Sequence, residues 1–382
     1  KSDKPVYLFI QDGTVEIKDA SPLWGKDAIE TREIIKSELG REVRVVATGP
    51  AGDNMAVMAT VLADDDASGS SGFGAVMGSK KLKAIAVRGS GRVTAANPEK
   101  LQALKKYILE LRRDAPGIYT GDYRSPVVLA EPRVSPYPPV YSPRMKKVAC
   151  WGCISGCDRA IYRADDGTKG KFFCQPLQVY AGYAERYYGK LEGDVAFYPT
   201  RLFNQYGVDS QVIGMVAEWL KRCGRAGILT DENTGIPISK LGSLEFLETL
   251  LRKIAFREGF GDILAQGVFR AANLVGGKAE ALIPDSTDKD GRYHVYGPKL
   301  YILTGLLYAT EPKRPINQLH EITLLLHQWE DWCKKVEGAY MSSEVFRSIA
   351  KRFFGGELAV DFSTYEGKAL AAKMIQDREY AK

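Results

Sequence analysis

Over the first ninety residues, apolar positions come in short runs separated by turn residues. Residues 6–10 and 14–17 are apolar and β-prone, and they flank Gln11-Asp12-Gly13. Asp-Gly between two such runs predicts a hairpin. Residues 26–39 carry helical periodicity and stop at Gly40, where glycine supplies a helix end. Residues 43–47 and 82–87 read as further strands. Between them, Gly69-Ser70-Ser71-Gly72-Phe73-Gly74 opens a short helix over residues 75–80. From Pro98 the pattern takes on the helical period, with helices predicted over 98–113, 178–188, 195–206, 210–223, 243–257, 261–272, 319–336, 343–354 and 365–379. Residues 115–145 differ: seven prolines fall between Pro116 and Pro143, which argues against a helix. That stretch is either a domain linker or a loop draped over a site. The pattern predicts an α+β fold, with a mixed sheet-and-helix part over 1–95 and helical domains over 96–240 and 241–382.

A chain of 382 residues holds two or three domains at roughly 100–200 residues each. Its 45% hydrophobic and 26% charged residues are those of a globular protein. No apolar run reaches the ~18 residues of a membrane span and no secretory segment opens the chain, so a cytoplasmic location is expected. The start, Lys1-Ser2-Asp3-Lys4-Pro5, has no initiator Met, and the chain reads as a piece of a longer polypeptide. Lys plus Arg exceeds Asp plus Glu by 53 − 47 = 6, spread along the sequence. That argues against a nucleic-acid surface and suits a pocket for anionic small molecules. Histidine occurs three times, at His294, His320 and His327, so proton transfer can fall to Glu, Asp, Tyr or Cys.

Cys150-Trp151-Gly152-Cys153-Ile154-Ser155-Gly156-Cys157 places three thiols within eight residues. Structural zinc usually takes two spaced pairs or a Cys/His set, and no second pair lies nearby. Three close thiolates with one distant ligand suit a [4Fe–4S] cluster, so the spacing favours iron over zinc. Gly152 and Gly156 let backbone amides approach the sulfurs. Cys223 and Cys333 sit in helical, apolar contexts and read as buried structural thiols. The segments Gly49-Pro50-Ala51-Gly52-Asp53-Asn54 and Gly69–Gly74 each gather small residues where backbone must approach something closely. The second precedes a helix start, which favours an anion such as phosphate. Taken alone, each is better explained by a tight turn.

Together these segments resemble the aldehyde ferredoxin oxidoreductase family over nearly the whole chain. The clearest match runs from Gly72-Phe73-Gly74 through Lys83-Ala84-Ile85-Ala86-Val87, beside the Gly49–Asn54 stretch, the three clustered cysteines and Gly259-Phe260-Gly261-Asp262. The resemblance implies a pterin-binding base in the first domain and a tungsten (or molybdenum) bis-pyranopterin, with Mg2+ bridging its phosphates as a further possibility. It implies that Cys150, Cys153 and Cys157 bind the [4Fe–4S] cluster. Asn54, Gly69, Ser70, Gly72 and Gly74 fall in its cofactor-contacting segments. Asn204-Gln205-Tyr206-Gly207-Val208-Asp209 matches its pterin turn, with Asn204 in place of Asp and the amide of Val208 facing the pterin. Ser70 stands where the family usually has Arg, so a charge contact there is lost or replaced.

Aldehyde-oxidising members place a Glu after the cluster and a His-containing stretch later. This chain has Cys174 in the first place and Lys313-Arg314-Pro315-Ile316-Asn317 in the second. It is more similar to the class II benzoyl-CoA reductase catalytic subunit, whose cysteine at this position binds tungsten. By its own context, between Phe173 and Gln175, Cys174 fits a buried free thiol equally well. The proline-rich stretch lacks that subunit's histidines, leaving Glu131 and the tyrosines Tyr119, Tyr123, Tyr137 and Tyr141 as its candidate acids. Lys313 is a candidate for an anionic group. The resemblance implies reduction of an aromatic acyl-CoA-type substrate, with ferredoxin or an iron–sulfur electron-transfer subunit as partner in an oligomer. Aldehyde oxidation and a non-catalytic electron-transfer role are the alternatives.

Overall fold

A six-stranded mixed sheet begins the chain, with strands β1 Val6–Gln11, β2 Thr14–Asp19, β3 Arg44–Thr48, β4 Val61–Leu62, β5 Ser68–Gly69 and β6 Leu82–Arg88 in the order β2-β1-β6-β3-β4-β5. This computed structural model describes residues 1–91, 93–114, 144–148, 160–172, 175–189, 193–293, 301–311, 315–336 and 339–381. β1 and β6 pair in parallel, and the other pairings are antiparallel. The β1–β2 turn falls at Asp12 and Gly13, both with positive φ (45° and 87°), as a two-residue hairpin demands. Helix α1, Ala28–Leu39, packs Ile35 with Tyr7, Phe9, Val45, Ala84 and Ala86. The Asp27 side chain caps its start, accepting from the amides of Ile29 and Glu30.

Two short helices, α2 (Pro50–Asp53) and α3 (Phe73–Ser79), pack backbone to backbone. A Cβ on Gly78 would lie 1.8 Å from the Gly52 carbonyl oxygen, and one on Gly74 2.5 Å from that of Thr60. Helices Gln175–Tyr188, Asp194–Tyr206, Ser210–Arg225 and Leu244–Phe256 surround the large apolar core that includes Trp219, Phe246 and Leu250, and Ala51 and Met58 join it. The helix expected over 261–272 is two, Phe260–Leu264 and Val268–Val275. Gly267 breaks it at φ 95°, outside the right-handed helical region.

A small sheet, β7 Met145–Lys147, β8 Ala160–Arg163 and β9 Lys169–Lys171, was not predicted. Strands of three or four residues are too short to show a period. Two compact units divide the described residues, one through Tyr293 and the other from Tyr301 onward. In the second, helices Ile302–Thr310, Ile316–Cys333, Ser343–Phe353 and Lys368–Tyr380 enclose Leu307, Leu319, Ile322, Phe346 and Ile375. Cys223 is buried as expected, and burial pushes its thiol up to about 11. Cys333 is exposed instead, because the buried stripe of its helix runs through Leu319, Ile322 and Leu326, leaving the helix end outside. No described helix is long and apolar enough to cross a membrane.

Candidate cofactor site

Residues 57–60 form the thread on which the site is strung. Val57 N donates to Ala265 O (2.9 Å) and Thr60 N to Gly207 O (2.8 Å). Met58 O accepts from Asp209 N (3.0 Å) and Ala59 O from Gly74 N (3.1 Å). Both glycine segments and the turn after helix Asp194–Tyr206 therefore meet in one place, although they lie up to 160 residues apart in sequence. Gly207, at φ 70°, ends that helix and comes within 3.0 Å of Gly49 N when a Cβ is built on it. No side chain fits between the two segments.

The predicted cofactor residues divide by what they do. Gly74 is buried and packs on Thr60 and Ala59, so it shapes the base from within. Asn54 spends its side-chain amide on the carbonyls of Pro50 (3.1 Å) and Ala255 (2.9 Å), tying α2 to helix Leu244–Phe256. The Val208 amide donates to Phe203 O (3.1 Å) rather than outward, because Gly207 lets the chain fold back on the last helical turn. Asn204 is buried at 5% exposure, and its side chain has no hydrogen bond to a described residue. In the loop Gly69–Gly72, which is half-buried, the amides of Ser70, Ser71 and Gly72 donate to no described residue. Asp209 is buried at 3%, caps helix Ser210–Arg225 through Gln211 N (3.0 Å), and pairs with Arg292.

Arg292 was missed by the sequence reading. Its Nη2 donates to Ser71 Oγ (2.9 Å) and to Asp209 Oδ2 (2.8 Å). This contact brings a guanidinium to Ser71, the neighbour of Ser70. Beneath the base, Lys83 Nζ on β6 donates to Asp53 Oδ2 (2.6 Å) and Lys26 O (2.8 Å), with side-chain exposures of 0% and 1% for the pair. Burial raises the Asp53 carboxyl and lowers the Lys83 ammonium, and their attraction opposes both shifts.

Cys150, Cys153, Cys157, Cys174, Glu131 and Lys313 lie outside the described residues. Their flanks are described. Lys147 pairs with Ala160, and Phe172 N donates to Ala160 O (2.9 Å). The ends from which the cysteine-bearing segments 148–159 and 173–174 leave are thus side by side. Phe172 packs with Tyr162, whose ring also meets Phe197 at 5.2 Å on helix Asp194–Tyr206. Among the described residues, no three His, Cys, Asp or Glu side chains converge on a metal position.

Residues 1–89 match the N-terminal domain of aldehyde ferredoxin oxidoreductase, and residues 139–381 match its domains 2 & 3. The chain belongs to the aldehyde ferredoxin oxidoreductase family. Among members of that family, the tungsten-containing aldehyde ferredoxin oxidoreductase of Pyrococcus horikoshii is 32% identical over 305 residues, 72% of this chain and 49% of that protein. The one from Pyrococcus furiosus is 32% identical over 336 residues, 81% of this chain and 54% of its own. The WOR-like subunit of the aliphatic sulfonate oxidoreductase of Pyrococcus furiosus is 30% identical over 315 residues, 71% of this chain and 49% of its own. A solved structure, the active site complex BamBC of benzoyl coenzyme A reductase with 1,5-dienoyl-CoA, aligns with TM-score 0.65 and 28% identity, covering 83% of this chain and 53% of that one. The chain spans about half the length of these relatives. An aldehyde ferredoxin oxidoreductase implies a tungsten–pterin group, and the donors here suit one. Three successive loop amides with no partner among the described residues fit an anionic edge, and the buried side-chain amide of Asn204, likewise without a hydrogen bond to a described residue, fits a heterocycle edge.

Proposed function

We propose that this chain is the cofactor-binding part of a tungsten–pterin, iron–sulfur oxidoreductase that reduces an aromatic acyl-CoA-type substrate. The observation that carries the reading is the side-by-side arrangement of Lys147, Ala160 and Phe172. Each cysteine lies within about ten residues of one of these ends. The sheet they close packs on the helix that ends at Asn204 and Gly207. Thr200 Oγ1 on this helix donates to Phe172 O (3.5 Å), and seven residues separate it from Gly207, about 10 Å along the axis. A sulfur-held cluster and a pterin would then sit at neighbouring ends of one rigid rod, close enough for single electrons to pass between them.

The amides of Ser70, Ser71 and Gly72 and the side chain of Asn204 would hold the pterin. Cys150, Cys153 and Cys157 would hold a [4Fe–4S] cluster, and Cys174 would add a thiolate to the metal. When bound, the metal–pterin group supplies two-electron chemistry and the cluster carries single electrons. This chain's share is to position both groups, to exclude water with the Phe172–Tyr162–Phe197 cluster, and to anchor anionic substrate groups through Lys313. Ferredoxin or an iron–sulfur subunit would exchange electrons with it. The named relatives also favour a second reading, oxidation of an aldehyde. Metal and pterin analysis of the purified protein tests the cofactor assignment. Tungsten, pterin and about four irons per chain support it, and zinc without iron ends it. A screen of aromatic acyl-CoA against aldehydes, with a low-potential electron carrier, then separates the two substrate classes.

A further inference from the structure

Arg292 is 4% exposed and comes from the loop after Pro284, far in sequence from the residues it holds. Its Nε and Nη2 converge on Asp209 Oδ2 at 3.0 and 2.8 Å, Nη2 also donates to Ser71 Oγ at 2.9 Å, and Nη1 donates to Asp290 Oδ2 at 3.0 Å. One guanidinium thus ties together three segments, and two of them carry the donors that have no partner among the described residues and suit a pterin. The loop at the first contact is strained. Ser71 has φ 69° and Gly72 has φ 78°, and a non-glycine residue in that region persists only where its surroundings over-determine it. Among the described residues, the one hydrogen bond on the Ser71 side chain is the one from Arg292. A buried ion pair that served stability alone could be exchanged for apolar packing and would have no reason to reach into a strained, half-exposed loop.

We propose that Arg292 is a positioning residue of the cofactor cradle. It locks the loop Gly69–Gly72 to the turn Asn204–Asp209, so that the amides of Ser70–Gly72 and the side chain of Asn204 stand at a fixed separation. The inference rests on the cofactor reading above. A lysine at 292 keeps the charge beside Asp209 but cannot span Asp209, Ser71 and Asp290 at once, because its single nitrogen lacks the planar fork.

The test uses the full chain, purified with its cofactors, as wild type, Ser71→Gly and Arg292→Lys. Ser71→Gly removes the acceptor and relieves the left-handed strain while keeping the loop amide, so its thermal midpoint should stay level or rise. The proposal nevertheless expects the tungsten and pterin retained after dialysis to fall about tenfold, with iron unchanged. Arg292→Lys should lose tungsten and pterin to the same degree. If it fails to fold, Ser71→Gly decides alone. Wild-type tungsten and pterin retention in Ser71→Gly overturns the positioning role and leaves Arg292 as an ordinary buried ion pair. A wild-type protein that carries iron but no pterin fails in a different way, since it sinks the cofactor reading first and this inference with it.

Discussion

Replacing Lys83 with Met removes the cation that Asp53 is buried against and leaves the carboxyl with one donor, Gly25 N at 2.8 Å, while Oδ1 already has no partner. Two routes to the cost agree. Keeping the carboxylate charged and unpaired costs about 3–5 kcal/mol. Protonating it at pH 7 costs about 1.36 × (7 − 3.9), or roughly 4 kcal/mol. The variant therefore loses about 4 kcal/mol at neutral pH. In the variant the carboxyl is protonated when folded and ionised when unfolded, so unfolding releases a proton and stability falls as pH rises above about 4. Going from pH 7 to 5 should restore about 2.7 kcal/mol, at roughly 1.4 per unit. Amide hydrogen exchange in β1, β3 and β6, corrected for intrinsic rates, reads this opening free energy within the unit concerned. The double variant Lys83→Met, Asp53→Leu should return to within about 1–2 kcal/mol of wild type, since an apolar pair replaces the ion pair. A loss below about 1 kcal/mol at pH 7, or an equal loss at pH 5, would refute the reasoning.

Gly78→Ala places a methyl 1.8 Å from the Gly52 carbonyl and should cost about 1–3 kcal/mol or more, whereas Gly89→Ala, which meets nothing within 4 Å, should be nearly silent in the same denaturation assay. Cys174→Ser should keep iron and the ~400 nm absorbance yet show one sulfur fewer around tungsten by X-ray absorption, and an unchanged sulfur number would make Cys174 a packing residue. His327 is 5% exposed with neither ring nitrogen bonded, and burial holds its pKa below the usual value, opposed by Glu330 and Asp331 and reinforced by Lys334. It stays neutral when folded, so its unit should lose up to about 1.4 kcal/mol per pH unit as pH falls below about 6.5 towards the folded value, and His327→Phe should abolish that slope in thermal melts between pH 7.5 and 5.5.

The elements that could be read from sequence were those with a period long enough to show or a turn that only certain residues make. The Asp12-Gly13 hairpin and the helix ending at Gly40 are of this kind. So are helices Ser210–Arg225 and Ser343–Phe353, whose polar and apolar faces alternate cleanly. Helix Ile302–Thr310 was missed because Leu303, Leu306, Leu307 and their neighbours are apolar nearly all round, which hides a stripe. Helix α2 was read as a turn, since four residues starting at a proline carry no period. The site divides likewise. The glycine segments announce a close approach, but not what approaches: Gly74 and Gly78 prove to face other backbone, and Gly52 the Thr48 side chain and the Gly74 carbonyl. Arg292 has no local signature at all. Its role comes from partners 83 and 221 residues away, which no window on the sequence contains.

That separation also sets an order in time. During synthesis at about 5–20 residues per second, the 221 residues between Ser71 and Arg292 take roughly 10–45 s to emerge. Throughout that interval the sheet β1–β6 and the glycine loop can form, while the clasp that joins the loop to the turn at Asp209 does not yet exist. The clasp is therefore completed late, only once residue 292 has arrived to join two segments that were already in place.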